Sequence, residues 1–331
     1  MSKALAALPS LERSYHLRFV GDWGAANFHR ICSWLCEEFC KRSGPRSRVA
    51  IWNVRGGGIE ALHLVEEGEA DLCLVTPAML MPAMLDGSLI FQGRPAPHLR
   101  ALAVLPQNDR MVLALRTDLG IHSFEELMAR KPAIRIATAP DDGTNFIGYV
   151  ARLFMQAHHL DQRTLQAWGS EYVEDTNPRD SLQRMEDGEV DAVLQEAIMT
   201  PWWFNLMESR KAIPLAAEES ALQTLAKQYN FGRNDLPAGY WSTLGTPLPA
   251  LDFSDFLVLV RDDMPDDVAY TLTQCLVETR HAIERQYRHL PAARSPLSYP
   301  LDPEKMARPT VTLHPSARRY YVDAGYLDAR P

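Results

Sequence analysis

At 331 residues with a net charge of −8, the chain is long for one small core and suits two lobes of ordinary domain size. Its apolar, aromatic and charged fractions (46%, 9% and 23%) sit near globular averages, which excludes a disordered, fibrous or disulfide-framework chain. The acidic balance without clustered Lys and Arg argues against nucleic acid or an anionic membrane surface as main partner, and no apolar run approaches the roughly 18–20 residues that span a bilayer.

The opening "MSKALAALPSLERSYHLRFV" breaks its apolar run at Pro9 and Glu12, so a chain without an export signal is expected. Residues 15–21, "YHLRFVG", alternate toward a strand, "DWGAANFH" makes a turn, and an apolar pattern of helical period follows. That helix, "FHRICSWLCEEFCKR", sets Cys32, Cys36 and Cys40 on one face with His29. Cβ atoms one turn apart lie ~5–6 Å from each other, beyond the ~3.8 Å of a disulfide. Thiols are also readily buried, so a packing face is favoured over a metal or redox site. An odd count of five cysteines fits a reducing compartment.

Next come a strand "RVAIWNV", a glycine turn "RGGG", a helix "IEALHLVEEG" and a short apolar strand "ADLCLV", which reads as buried on both faces. "LRALAVLP" and "RMVLALR" predict two strands, "SFEELMA" a helix capped by Ser123, and "AIRIATAP" a further strand. The turn "DDGTNF" then feeds a helix ending at His158 and His159. Adjacent helical residues do not face each other, so these two histidines read as a polar helix end and not as a metal pair.

After that, "LQRMEDGEVDAVLQ" repeats the earlier "LHLVEEGEADLCLV": a helix, an acidic glycine turn, one small residue, Asp and an apolar strand. The repetition predicts two α/β lobes on one plan, with parallel sheets and solvated turn carboxylates. The ligand-facing residues belong just past the strands, at Thr76 and Pro77 and around 196–200. A strand "DFLVLVR", a helix, a proline-rich irregular tail and a last helix "PSARRYYVDAG" complete the chain. No motif of nucleophilic, zinc-hydrolytic, P-loop or calcium chemistry occurs, so no cofactor or metal is expected.

The ordered set "GGGIEALHLVEEGEADLCLV", "MVLALRTDLGIHSFEEL", "DGTNFIGYVARLFMQAHHL", "LQRMEDGEVDAVL", "LPAGYW" and "TLHPSARRYYVDAGYL" resembles the TAXI group of solute receptors of tripartite (TRAP) transporters. The resemblance runs from about Tyr15 to Leu327. It implies a type II periplasmic-binding-protein fold: two α/β lobes joined by two crossover strands around an interlobe cleft. Lobe one would comprise 15–103 plus 246–331 and lobe two 104–245. It also implies a small organic acid or amino acid as ligand, TRAP membrane permease subunits as partners, and the periplasm as location. The cysteines and the opening segment point instead to the cytoplasm.

By the same matching the cleft would be lined by Trp23, Gly24, Asn27 and Phe28, by Arg55, Gly57 and Gly58, by Thr76, by Gly143, Thr144 and Asn145, and by Trp202 and Tyr240. Each has a plainer reading. The glycines could only form a tight turn, and Asn27, Thr144 and Asn145 could be helix caps. Arg55 could be a surface residue, and Trp202 and Trp203 cannot both face a ligand. The family's glycine-rich first turn is here "GDWGAANF", and Asp141 and Asp142 precede the third cleft helix, so the ligand contacts depart from the family pattern. The scaffold also supports cytoplasmic enzymes, such as decarboxylases of aromatic acids, and ligand sensors. An enzyme would need titratable groups to converge, from among His29, Cys32, His63, Asp141 and Asp142.

Overall fold

The structure, a computed structural model, describes residues 11–21, 27–56, 58–198 and 200–329. Among them the strands in chain order are β1 (His16–Val20), β2 (Arg48–Trp52), β3 (Leu72–Val75), β4 (Leu99–Leu105), β5 (Arg110–Arg116), β6 (Arg135–Thr138), β7 (Glu171–Glu174), β8 (Ala192–Glu196), β9 (Ala212–Pro214), β10 (Leu251–Asp252) and β11 (Phe256–Arg261). The chain divides into two compact units. Unit 1 holds Met1–Pro106, Phe256–His289 and Tyr299–Pro331; unit 2 holds Gln107–Asp255 and Leu290–Ser298. Both are α/β, as the alternation of strand and helix predicts.

Unit 1 carries a sheet in the order β2-β1-β3-β11-β4. The first three strands are parallel, because helices Asn27–Arg42 and Ile59–Glu66 return the chain between them. β11 runs antiparallel to both neighbours, so the expected wholly parallel sheet is corrected to a mixed one. This strand enters from unit 2 and not through a crossover helix of its own sheet, so nothing returns it in the parallel sense. All four residues of β3 are buried, as a short unbroken apolar run requires in a sheet covered on both faces.

Unit 2 repeats the arrangement with the order β10-β5-β8-β6-β7, and β9 also pairs with β5. β6 is parallel to β7 and β8, whereas β5, arriving from unit 1, is antiparallel to β8. The proline-rich stretch 290–298 joins this unit: Leu297 bridges Gln107, and the Asn108 N–H donates to the Pro296 carbonyl at 3.1 Å.

The two acidic turns share their main features. Gly68 and Gly188 take φ of 76° and 75°, a left-handed conformation that costs glycine little and ends each helix. The carboxylates of Glu67, Glu69, Asp187 and Glu189 lie on exposed residues. The two aspartates that follow do more than meet solvent. Asp71 accepts the backbone N–H of Arg18 at 2.7 Å and donates its own N–H to the Arg18 carbonyl at 2.9 Å. Asp191 does the same with Arg135, at 2.9 Å and 2.9 Å. Each aspartate thus stitches the incoming strand to the preceding parallel one, which explains why the residue type recurs with the turn.

Candidate functional site

In unit 1 the parallel strands β1 to β3 present their C-terminal ends on one edge of the sheet, and most sequence-predicted residues of that unit lie there. Trp23, Gly24 and Gly57 lie outside the described residues. Asn27 opens the helix Asn27–Arg42, and its side-chain oxygen accepts the hydroxyl of Tyr287 at 2.7 Å. Phe28 packs edge-on against Phe256, with ring centroids 4.8 Å apart. Arg55 is exposed in the bend after β2, and Gly58, with φ of 101°, precedes the helix Ile59–Glu66. Thr76 is buried at the end of β3.

In unit 2 the corresponding edge is formed by the ends of β6, β7 and β8. Asn145 caps the helix Phe146–Ala157: its Oδ1 accepts the N–H groups of Ile147 at 2.9 Å and Gly148 at 3.4 Å. Its Nδ2 is buried and makes no hydrogen bond. Gly143 turns the chain with φ of 82°, while the Thr144 hydroxyl donates to Asp142 at 2.6 Å. That bond holds the Asp142 carboxyl below its usual range, whereas partial desolvation raises the carboxyl of Asp141, itself a largely exposed residue, against the opposing charge of Arg152.

Sequence reasoning missed two further residues on this edge, Thr138 and Gln195, both fully buried at the ends of β6 and β8. Gln195 donates to Ser181 Oγ at 3.0 Å, and Ser181 donates to Asp175 at 3.3 Å. The Asp175 N–H in turn donates to the Thr138 carbonyl at 2.9 Å. Thr138 Oγ1 and Gln195 Oε1 nonetheless make no hydrogen bond. The available signal was the polar ending of "AVLQE", a strand buried at every position, where two polar side chains demand partners.

Just before β5 and at the end of β8 two carboxyls meet. Asp109 is fully buried, and burial together with the adjacent Glu196 carboxylate holds it well above the usual carboxylate range. Its oxygens accept the N–H groups of Arg110 at 2.7 Å and Ile198 at 3.3 Å, and the Gln107 amide at 3.4 Å. The Arg110 guanidinium turns away to the Asn234 and Asp235 carbonyls.

The aromatic residues after β8 divide as two neighbours on a helix must. Trp203 is fully buried, stacked on Trp241 at 5.4 Å, with Nε1 donating to the Glu196 carbonyl at 2.7 Å. Trp202 is half-buried against the same cluster. Tyr240 sits inside that core, 3% exposed, and its hydroxyl donates to the Ala197 carbonyl at 3.3 Å. Burial pushes this hydroxyl up to about 12.

Among the described residues no group of three or more His, Cys, Asp or Glu is placed to hold a metal. The thiols of Cys32 and Cys36 point at the Val20 and Val49 carbonyls of the sheet beneath, at 3.9 and 3.8 Å. Burial pushes Cys36 up to about 11, far from the thiolate that chemistry would need.

His158 ends its helix as expected but faces the core, which corrects the reading of a polar helix end. It stacks on Phe124 at 3.7 Å, an apolar shelf that sequence spacing does not reveal. The Glu218 N–H donates to its Nε2 at 3.0 Å, so the ring proton sits on Nδ1 and is donated to the Phe154 carbonyl at 2.8 Å. Burial pushes this histidine down to about 4. The unfolded chain binds the proton first, so the contribution is complete above pH ~6.5 and is lost as pH falls toward 4, about 3 kcal/mol in all. Urea unfolding at several pH values should show the stability gap between wild type and His158→Gln narrowing across that window. A constant gap would contradict a neutral buried ring.

Residues 35–325 match the model of the NMT1-like family. Among solved structures, the periplasmic binding protein BugD is 13% identical with a TM-score of 0.53, covering 85% of this chain and 88% of its own. MatC from Rhodopseudomonas palustris with bound malate is 11% identical with a TM-score of 0.51, covering 87% and 91%. A periplasmic transporter at 12% identity has a TM-score of 0.52, covering 85% and 90%. No curated protein matches. Identities this low speak for the fold, and the family match spans most of the sequence. The chain belongs to the NMT1-like family and has the fold of periplasmic binding proteins.

Proposed function

We propose that this protein is a solute receptor that captures a small organic acid or amino-acid-like ligand and delivers it to the permease of a TRAP-type transporter. One observation carries the reading: Thr138, Asn145 and Gln195 are fully buried at one sheet edge, and each keeps a polar atom without a protein partner. Such groups are costly in a core unless something else satisfies them. They offer a hydroxyl, an amide donor and an amide acceptor beside the N-terminus of a 12-residue helix, whose first N–H groups favour a carboxylate. MatC, of the same fold, holds malate. The resemblance to the TAXI group supplies the transporter class.

The alternative of an enzyme on this scaffold has Asp109 and Glu196 as its strongest support, since paired carboxyls often serve as acid and base. Asp109, however, is wholly buried, and its acceptance of the Arg110 and Ile198 N–H groups and the Gln107 amide anchors the start of β5, a structural use.

Thermal-shift screening of small carboxylates, hydroxy acids and amino acids tests the proposal. A specific ligand at a hundredfold excess over its dissociation constant adds about 2.7 kcal/mol. Thr138→Val keeps the side-chain shape and removes a hydroxyl that bonds nothing in the protein, so it should leave stability unchanged or raised. The same change should weaken the ligand about tenfold, the worth of one hydrogen bond. If no small acid shifts the transition, the receptor reading is wrong.

A further inference from the structure

Unit 2 contains a cavity of about 460 Å³ on the flank of edge strand β7, walled by that strand and by helices Phe146–Ala157 and Gln162–Ala167. The volume lies within the range of small-molecule sites, roughly 300–1,000 Å³. Its wall is polar. Arg152 sits over the ring of Tyr172, its Cζ 3.5 Å from the centroid, and its Nη2 pairs with Glu174 at 2.7 Å. These two contacts hold the guanidinium in place. The remaining Nη1 is buried and makes no hydrogen bond.

The charges around it are unequal. Glu174 is balanced by Arg152, and Glu171 by Arg135 at 3.1 Å. Asp141, also in the wall, forms no ion pair within 4.0 Å among the described residues. A simple carboxylate entering here meets three carboxyl groups and one guanidinium already committed to Glu174, and is disfavoured. A simple amine satisfies Asp141 and leaves Arg152 Nη1 unmet in a buried position, at the cost of an unmade hydrogen bond. Only a ligand carrying both groups answers both demands.

We infer that this cavity is a second ligand site of unit 2, selective for small molecules with an ammonium group beside a carboxylate or carbonyl oxygen. The oxygen binds Arg152 Nη1 and the ammonium group binds Asp141. Amino acids and their amides are the class that fits. Its selectivity comes from side chains other than those of the site proposed above, to which it is joined through the turn after β6 and the end of β7, and pure organic acids belong to that other site.

Isothermal titration of the full chain with the common L-amino acids, their amides and their deaminated acids tests the inference. At least one amino acid or amide should bind with its deaminated counterpart weaker by about tenfold or more. Asp141→Asn and Arg152→Gln should each weaken that binding by a similar factor, while Thr138→Val leaves it unchanged. Asp141 is exposed, so its variant should fold normally and keeps the test decisive if Arg152→Gln does not. Three results would overturn the inference: no amino acid or amide binds, the deaminated acids bind equally well, or binding responds to Thr138→Val and not to Asp141→Asn.

Discussion

Gly148→Ala should cost about 4 kcal/mol or more, the range reserved for a forced rearrangement of packed backbone. A Cβ at this position would lie 1.8 Å from the Pro140 carbonyl oxygen and 2.8 Å from that of Ala139. Both obstacles are backbone at the exit of β6, so neither can swing aside as a side chain could. The first turn of the helix Phe146–Ala157 is thereby pressed onto the 139–145 turn, which also fixes Asn145. Ligand affinity should fall with stability, because the Gly148 N–H is one of the two groups that Asn145 Oδ1 holds. Denaturant midpoints would decide the matter: a variant within about 1 kcal/mol of wild type is incompatible with so close an approach.

Trp203→Ala should cost about 3–5 kcal/mol, the usual loss for deleting a large buried aromatic side chain. The variant loses the stacking on Trp241 and leaves the Glu196 carbonyl short of a donor. Trp203→Phe should recover most of the packing and lose about 1 kcal/mol for the hydrogen bond. The neighbouring Trp202→Ala provides the control, since that ring is only half-buried. Equal losses in urea unfolding at the two positions would show that the side chains share the core, contrary to the arrangement found.

The contrast between these tryptophans illustrates where sequence reasoning reaches its limit. Adjacent helical residues must diverge, so one buried ring was predictable, but which one depends on Trp241 and Glu196, and no local pattern names them. Features with local causes were legible. Ser123 caps its helix by accepting the Glu126 N–H at 3.1 Å, and the acidic turns end their helices at glycines of positive φ. Strand direction was not legible, because β5 and β11 carry the same apolar residues whether they pair parallel or antiparallel. The partnership of Asn27 with Tyr287, 260 residues apart, is likewise a product of the closed fold. The polar edge of unit 2 was half visible: Asn145 stood in a recognisable turn, whereas Thr138 and Gln195 lay inside strands that their neighbours marked as core.

The buried carboxyl pair and the buried histidine together govern how unit 2 exchanges protons when it unfolds. Asp109 retains a proton that the unfolded chain would release above pH ~3.8, so its contribution to stability declines as pH rises from there toward its folded-state value. His158 behaves in the opposite sense between about 4 and 6.5. Wherever these windows overlap, unfolding passes one proton out from Asp109 and takes one in at His158, and these two groups leave no net dependence on acidity. The two contributions are opposite in sign: the histidine's is lost as the medium turns acid, and the aspartate's is lost as pH rises through its raised folded-state range.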